Sequence, residues 1–99
     1  MDEVTTITEL TELITEYREQ ENLDKIDTPT ELIKAITVEA GELLETDTFK
    51  LIINKNRIAQ ELADVLIYSL ALADYMGFDV EDIIREKIEY NKKRGRTYD

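Results

Sequence analysis

The chain has 99 residues, of which 42% are apolar and 35% charged, with 3 Gly, 1 Pro, no Cys and no His. That length and composition describe one helix-rich domain over residues 1–99 and exclude disulfides, thiol and imidazole catalysis and most zinc sites. A net charge of −11 argues against nucleic acid as a partner.

Four helices are predicted in chain order. The first runs from Ile7 to about Glu19, with Thr6 and Glu9 as a capping box and Ile7, Leu10, Ile14 and Tyr17 as an apolar stripe. The second opens on Thr28 as N-cap, with Pro29 at the first helical position and Glu31 completing a second capping box. It ends near Thr46. Residues 46–54 are rich in β-branched side chains, but a lone strand has no partner, so a loop or short helical turn is expected. The third helix runs from about Lys55 to Met76 and stops at Gly77. Between Leu62 and Ala73 it is apolar around most of its circumference, which predicts burial on several sides and hence self-association. The fourth starts at Asp79 and runs to about Lys93, with Val80, Ile83, Ile84 and Ile88 as its inner stripe.

The N-terminus has neither the basic nor the apolar region of a signal peptide, and the longest apolar stretch is broken by Asp64 and too short to span a bilayer. A soluble cytoplasmic protein, with no membrane partner, is the expectation. Charge is uneven: residues 1–84 carry 6 basic and 20 acidic side chains, and residues 85–99 carry 6 basic and 3 acidic ones.

The acids are placed unusually. Glu39 and Glu42 lie three apart on the second helix, and Glu61 and Asp64 repeat that spacing on the third. Residues three apart share a helix face. At about 100° per residue, Glu39 falls against the buried stripe, Glu42 at its rim, and Glu61 and Asp64 flank an apolar arc that includes Tyr68. One such pair alone reads as boundary acids bonded to nearby cations or backbone. Two successive pairs near one core are costly unless a cation balances them. A hard dication such as Mg²⁺, which prefers oxygen ligands, suits them.

The fourth helix carries Lys87, Asn91 and Arg94 at i, i+4 and i+7, a row that suits phosphate oxygens but also suits a solvated helix C-terminus. Phe49 and Tyr68 lie close to the acids in sequence, and either could meet a nucleobase or serve as core.

Together these motifs resemble the MazG-like all-α nucleoside triphosphate pyrophosphohydrolases, and among them the small dCTP pyrophosphatase type. Glu39-Ala40-Gly41-Glu42-Leu43 is similar to the family's Glu-x-x-Glu helix, and Glu61 to Tyr68 with Leu70 to Ala73 is similar to its Glu-x-x-Asp helix. Lys87, Asn91 and Arg94 match its closing signature, so the resemblance spans about residues 28–94. It implies a four-helix bundle assembling as a homodimer or dimer of dimers, with sites at subunit interfaces. It implies Mg²⁺-dependent conversion of a (deoxy)nucleoside triphosphate to the monophosphate and pyrophosphate, in nucleotide-pool housecleaning. By position, Glu39, Glu42, Glu61 and Asp64 would hold metal, Lys87 and Asn91 would touch phosphate with Arg94 beside them, Tyr68 would lie near sugar or base, and Phe49 would stack on the base. Without His, a carboxylate must activate the water, and Glu39, nearest the buried stripe, is the choice. Val38 stands where many members carry a further Glu, and Gly95 follows Arg94 where an aromatic is usual.

Two other readings fit the same residues. One is a non-catalytic acidic bundle that binds a protein partner, with its acids spread over exposed faces. The other is a phosphoribosyl-ATP or dUTP hydrolase of the same superfamily.

Overall fold

A computed structural model describes residues 4–46 and 54–95. Among these residues it contains four α-helices: α1 (Ile7–Gln20), α2 (Pro29–Glu45), α3 (Lys55–Met76) and α4 (Val80–Lys93). The local code explains the boundaries. Thr6 accepts the Glu9 N–H at 3.0 Å while Glu9 Oε1 accepts the Thr6 N–H at 2.9 Å, so the first capping box is complete. The second expected box is only half present. Thr28 Oγ1 accepts the Glu31 N–H at 3.1 Å, but the Glu31 carboxylate turns outward to Lys34 at 3.6 Å. Asn54 and Asp79 cap α3 and α4 in the same one-sided way, at 3.1 and 3.0 Å.

Three helix ends use the left-handed region, the one after α4 through Gly95 at φ 62°. Gly77 sits at φ 72°, and its N–H and that of Phe78 return to the Asp74 and Ala73 carbonyls. After α1 the same role falls to Asn22 at φ 60°, with the Asn22 N–H bonded to Glu19 and the Leu23 N–H to Arg18. Asn tolerates this conformation better than other side-chain-bearing residues. The turn brings residues 23–27 back over the end of α1.

Packing is uneven. α2 and α3 form the main seam, α1 docks on α3 over a shorter length, and α4 barely touches the other three. Thr15 and Arg18 of α1 meet Asp74 and Tyr68 of α3 respectively, so these two helices run antiparallel. The fully shielded core is small: Leu32 is 1% exposed, and Ile14, Ala71 and Ala73 are the other buried apolar residues. The Cα radius of gyration is 15.8 Å, against about 13 Å for a compact domain of this length.

Apolar stripes read from the sequence are therefore only partly covered. Of the α1 stripe, Ile14 is buried while Ile7, Leu10 and Tyr17 are exposed. Ile83, Ile84 and Ile88 of α4 are exposed as well, because no helix of the chain packs along them. On α3, Leu62 and Leu66 are exposed while Asp64, Val65 and Ile67 are half-buried. Among the described residues no helix is long and apolar enough to cross a membrane.

Candidate metal and nucleotide site

The α2–α3 seam brings the acidic motifs together. Antiparallel packing sets Glu39 beside Asp64 and Glu42 beside Glu61. One carboxylate oxygen each from Glu39, Glu61 and Asp64 lie within 4.8 Å of one another. Glu42 stands next to both Glu39 and Glu61. All four side chains are half-buried. Each helix contributes its pair through the three-residue spacing, and the apolar residues around the pairs hold the two helices together.

Electrostatically the cluster is uncompensated. Among the described residues, no Lys or Arg forms an ion pair with any of the four. Glu61 Oε2 is shielded from solvent and has no hydrogen-bond donor. Partial burial, followed by the charges of Glu42, Asp64 and Glu61 and a proton shared with Glu42, raises the pKa of Glu39 above the ordinary carboxylate value. Glu61 is raised by the same kind of desolvation and by Glu42 and Asp64, with Arg57 acting weakly in the opposite direction.

Such a set fits a hard cation. Oxygen-only donors, mutual repulsion and a shielded lone pair without a donor are what Mg²⁺ would satisfy. Buried carboxylates without a balancing charge are otherwise held only at a cost. The acids of this cluster are not spread over exposed faces, which departs from the expectation for a purely acidic binding bundle.

The remaining candidates are placed differently. Tyr68 is half-buried on α3, one turn beyond Asp64, and the Arg18 guanidinium lies over its ring at 5.6 Å. Lys87, Asn91 and Arg94 share one side of α4, where Lys87 Nζ and Arg94 Cζ lie 4.7 and 5.1 Å from the Tyr90 ring. Because α4 barely touches α2 and α3, the cations gather on Tyr90 and form no ion pair with the carboxylates. Phe49, and all but the two ends of the 46–54 segment, lie outside the described residues.

One residue escaped the sequence reading. Arg18 of α1, absent from the motifs above, is 6% exposed. Its Nη1 donates to Asp27 Oδ2 at 2.6 Å, and its Nη2 donates to Asp27 Oδ1 at 3.1 Å and to the Leu23 carbonyl at 3.2 Å. The available signal was Asn22, whose tolerance of positive φ permits the turn that returns Asp27 to α1.

Comparison with known proteins adds three findings. The model of the MazG-like family matches residues 30–97. A pyrophosphatase from Archaeoglobus fulgidus, known from a crystal structure, is similar in fold with a TM-score of 0.84 and 26% sequence identity, over 98% of each chain. No curated protein matches the chain.

Proposed function

The chain belongs to the MazG-like family, and we propose that it is a Mg²⁺-dependent nucleoside triphosphate pyrophosphohydrolase that converts a (deoxy)nucleoside triphosphate and water to the monophosphate and pyrophosphate. The observation that carries this reading is the convergence of Glu39, Glu61 and Asp64 oxygens within 4.8 Å, with Glu42 alongside and, among the described residues, no cationic side chain paired with them.

In this reading Glu39, Glu42, Glu61 and Asp64 hold the metal. When bound, Mg²⁺ offsets phosphate charge and orients the phosphate chain. Glu39 accepts the proton of the attacking water. A carboxylate takes this role because the chain has no His. The water oxygen bonds to the α-phosphorus, the bond from that phosphorus to the bridging oxygen breaks, and pyrophosphate leaves with the electron pair. Lys87, Asn91 and Arg94 bind the outer phosphates. Tyr68 contacts the sugar or base, and Phe49 stacks on the base.

The exposed α4 stripe, and the lack among the described residues of an ion pair between Lys87 or Arg94 and the acids of α2 and α3, support a homodimer or a dimer of dimers, in which α4 packs against a second copy and completes the site. A dCTP-type preference rests on the wording of the α2 and α3 motifs. A role in clearing surplus nucleotides from the cytoplasm follows from the same reading.

The test is pyrophosphate release from a panel of nucleoside triphosphates with and without Mg²⁺. Glu42→Gln and Asp64→Asn each remove a charged ligand and are expected to lower turnover by about 100-fold or more, as loss of strong electrostatic stabilisation does elsewhere. Turnover by both variants at the wild-type rate would refute the assignment.

A further inference from the structure

Arg18 is costly where it stands. A guanidinium loses hydration on burial and is tolerated only when its donors are satisfied. Asp27 and the Leu23 carbonyl satisfy both terminal nitrogens. That leaves the planar face of the group, and the Tyr68 ring lies under it at 5.6 Å. The pair is neutral as a unit, so it adds no net charge toward a phosphate or a cation. What it does supply is a cation anchored at two points and held over one aromatic ring.

Tyr68 is one turn from Asp64 and two from Glu61 on α3, so it stands about 6 Å along the axis from the nearer acid. Further along α3, a hollow of about 210 Å³ is lined by Arg18 and Asp27 together with Ala71 and Tyr75. Along α3, Tyr68 therefore falls between the carboxylates and open space.

We propose that Arg18, pinned by Asp27, is a positioning residue that holds the Tyr68 ring in the orientation in which it meets the nucleoside part of the substrate. The inference rests on the pyrophosphohydrolase reading. It differs from a purely structural role for the ion pair in acting through one ring. Lys at position 18 keeps the charge but loses the two-point grip and the stacking plane. The expected signature is weaker ground-state and transition-state binding together, which raises KM and leaves kcat nearly unchanged.

The experiment compares wild type, Arg18→Lys, Tyr68→Leu and the double variant, all as the full chain. The readouts are steady-state pyrophosphate release and the near-ultraviolet circular dichroism of tyrosine. The difference spectrum between wild type and Tyr68→Leu isolates the contribution of Tyr68. Arg18→Lys is expected to raise KM by about tenfold, within the range of a desolvated cation–π contact, with kcat within about twofold. The same substitution should leave KM unchanged when position 68 is already Leu. It should also abolish the Tyr68 dichroism. Wild-type KM in Arg18→Lys, or an equal effect of Arg18→Lys in both backgrounds, would overturn the proposal. If wild type releases no pyrophosphate from any nucleotide, the functional reading falls and takes the substrate role of Arg18 with it. The dichroism then separates the two failures by showing whether Arg18 orders the ring. Should Arg18→Lys not fold, Asp27→Asn unpins the same guanidinium and is held to the same outcomes.

Discussion

Replacing Asp27 by Ala strips the counter-charge from Arg18 while leaving the guanidinium in place. The side chains of the pair are 8% and 12% exposed, and two hydrogen bonds of 2.6 and 3.1 Å join them. Removing one member of so shielded a pair costs about 3–5 kcal/mol, most of it the penalty of an unpaired buried charge. An exposed pair would cost about 1 kcal/mol or less. For a domain of this size each kcal/mol moves the midpoint by about 4–8 °C, so a drop of at least about 12 °C is expected. The companion variant Arg18→Met/Asp27→Leu removes both charges and should recover most of that loss. The assay is urea and thermal unfolding at pH 7 of wild type and Asp27→Ala, and of Arg18→Met, Asp27→Leu and their double variant, which with wild type form a double-mutant cycle. A cost below about 1 kcal/mol for Asp27→Ala, or a double variant no better than either single one, would refute the account of Arg18 as a buried, paired cation.

Leu32→Ala empties the most shielded position of the α2–α3 seam and should cost about 3–5 kcal/mol in the same unfolding assay. Glu61→Gln should raise the thermal midpoint of protein held in chelator, because it removes a charge from an uncompensated cluster. The same variant should lose the upward shift that Mg²⁺ gives wild type. The cluster also sets a pH dependence. Glu39 and Glu61 have folded pKa values above the ordinary 4.5. The folded state therefore binds protons more readily than the unfolded chain, and the contribution is fully present below 4.5 and lost as pH rises through the folded values. Metal-free wild type should thus lose stability as the pH rises above 4.5, and Glu39→Gln/Glu61→Gln should lose less. Glu9 acts in the reverse sense: its capping bonds to Thr6 lower its pKa, so its contribution fades only on acidification below the usual range.

Much of the fold was legible because its signals are local. Thr6, Thr28, Pro29, Gly77 and Asp79 fix helix ends through bonds to residues within one turn, and the observed boundaries lie within a residue or two of the expected ones. The convergence of Glu39, Glu61 and Asp64 was legible for a related reason: helical spacing alone puts each acid beside an apolar stripe, and stripes pack. Arg18 was not legible, since its burial depends on Asp27 nine residues away and on a left-handed Asn22 between them. Nor was the exposure of Ile83, Ile84 and Ile88, because periodicity identifies a face that wants cover without saying which surface supplies it.

The distribution of contacts also ranks the helices by how readily they open. Amides along the α2–α3 seam, anchored by Leu32, Ala71 and Ala73, should exchange with solvent last, and those of α4 first. The four carboxylates thus ride on the part of the chain that survives partial unfolding. Opening of α4 alone would therefore leave the arrangement of the carboxylates intact.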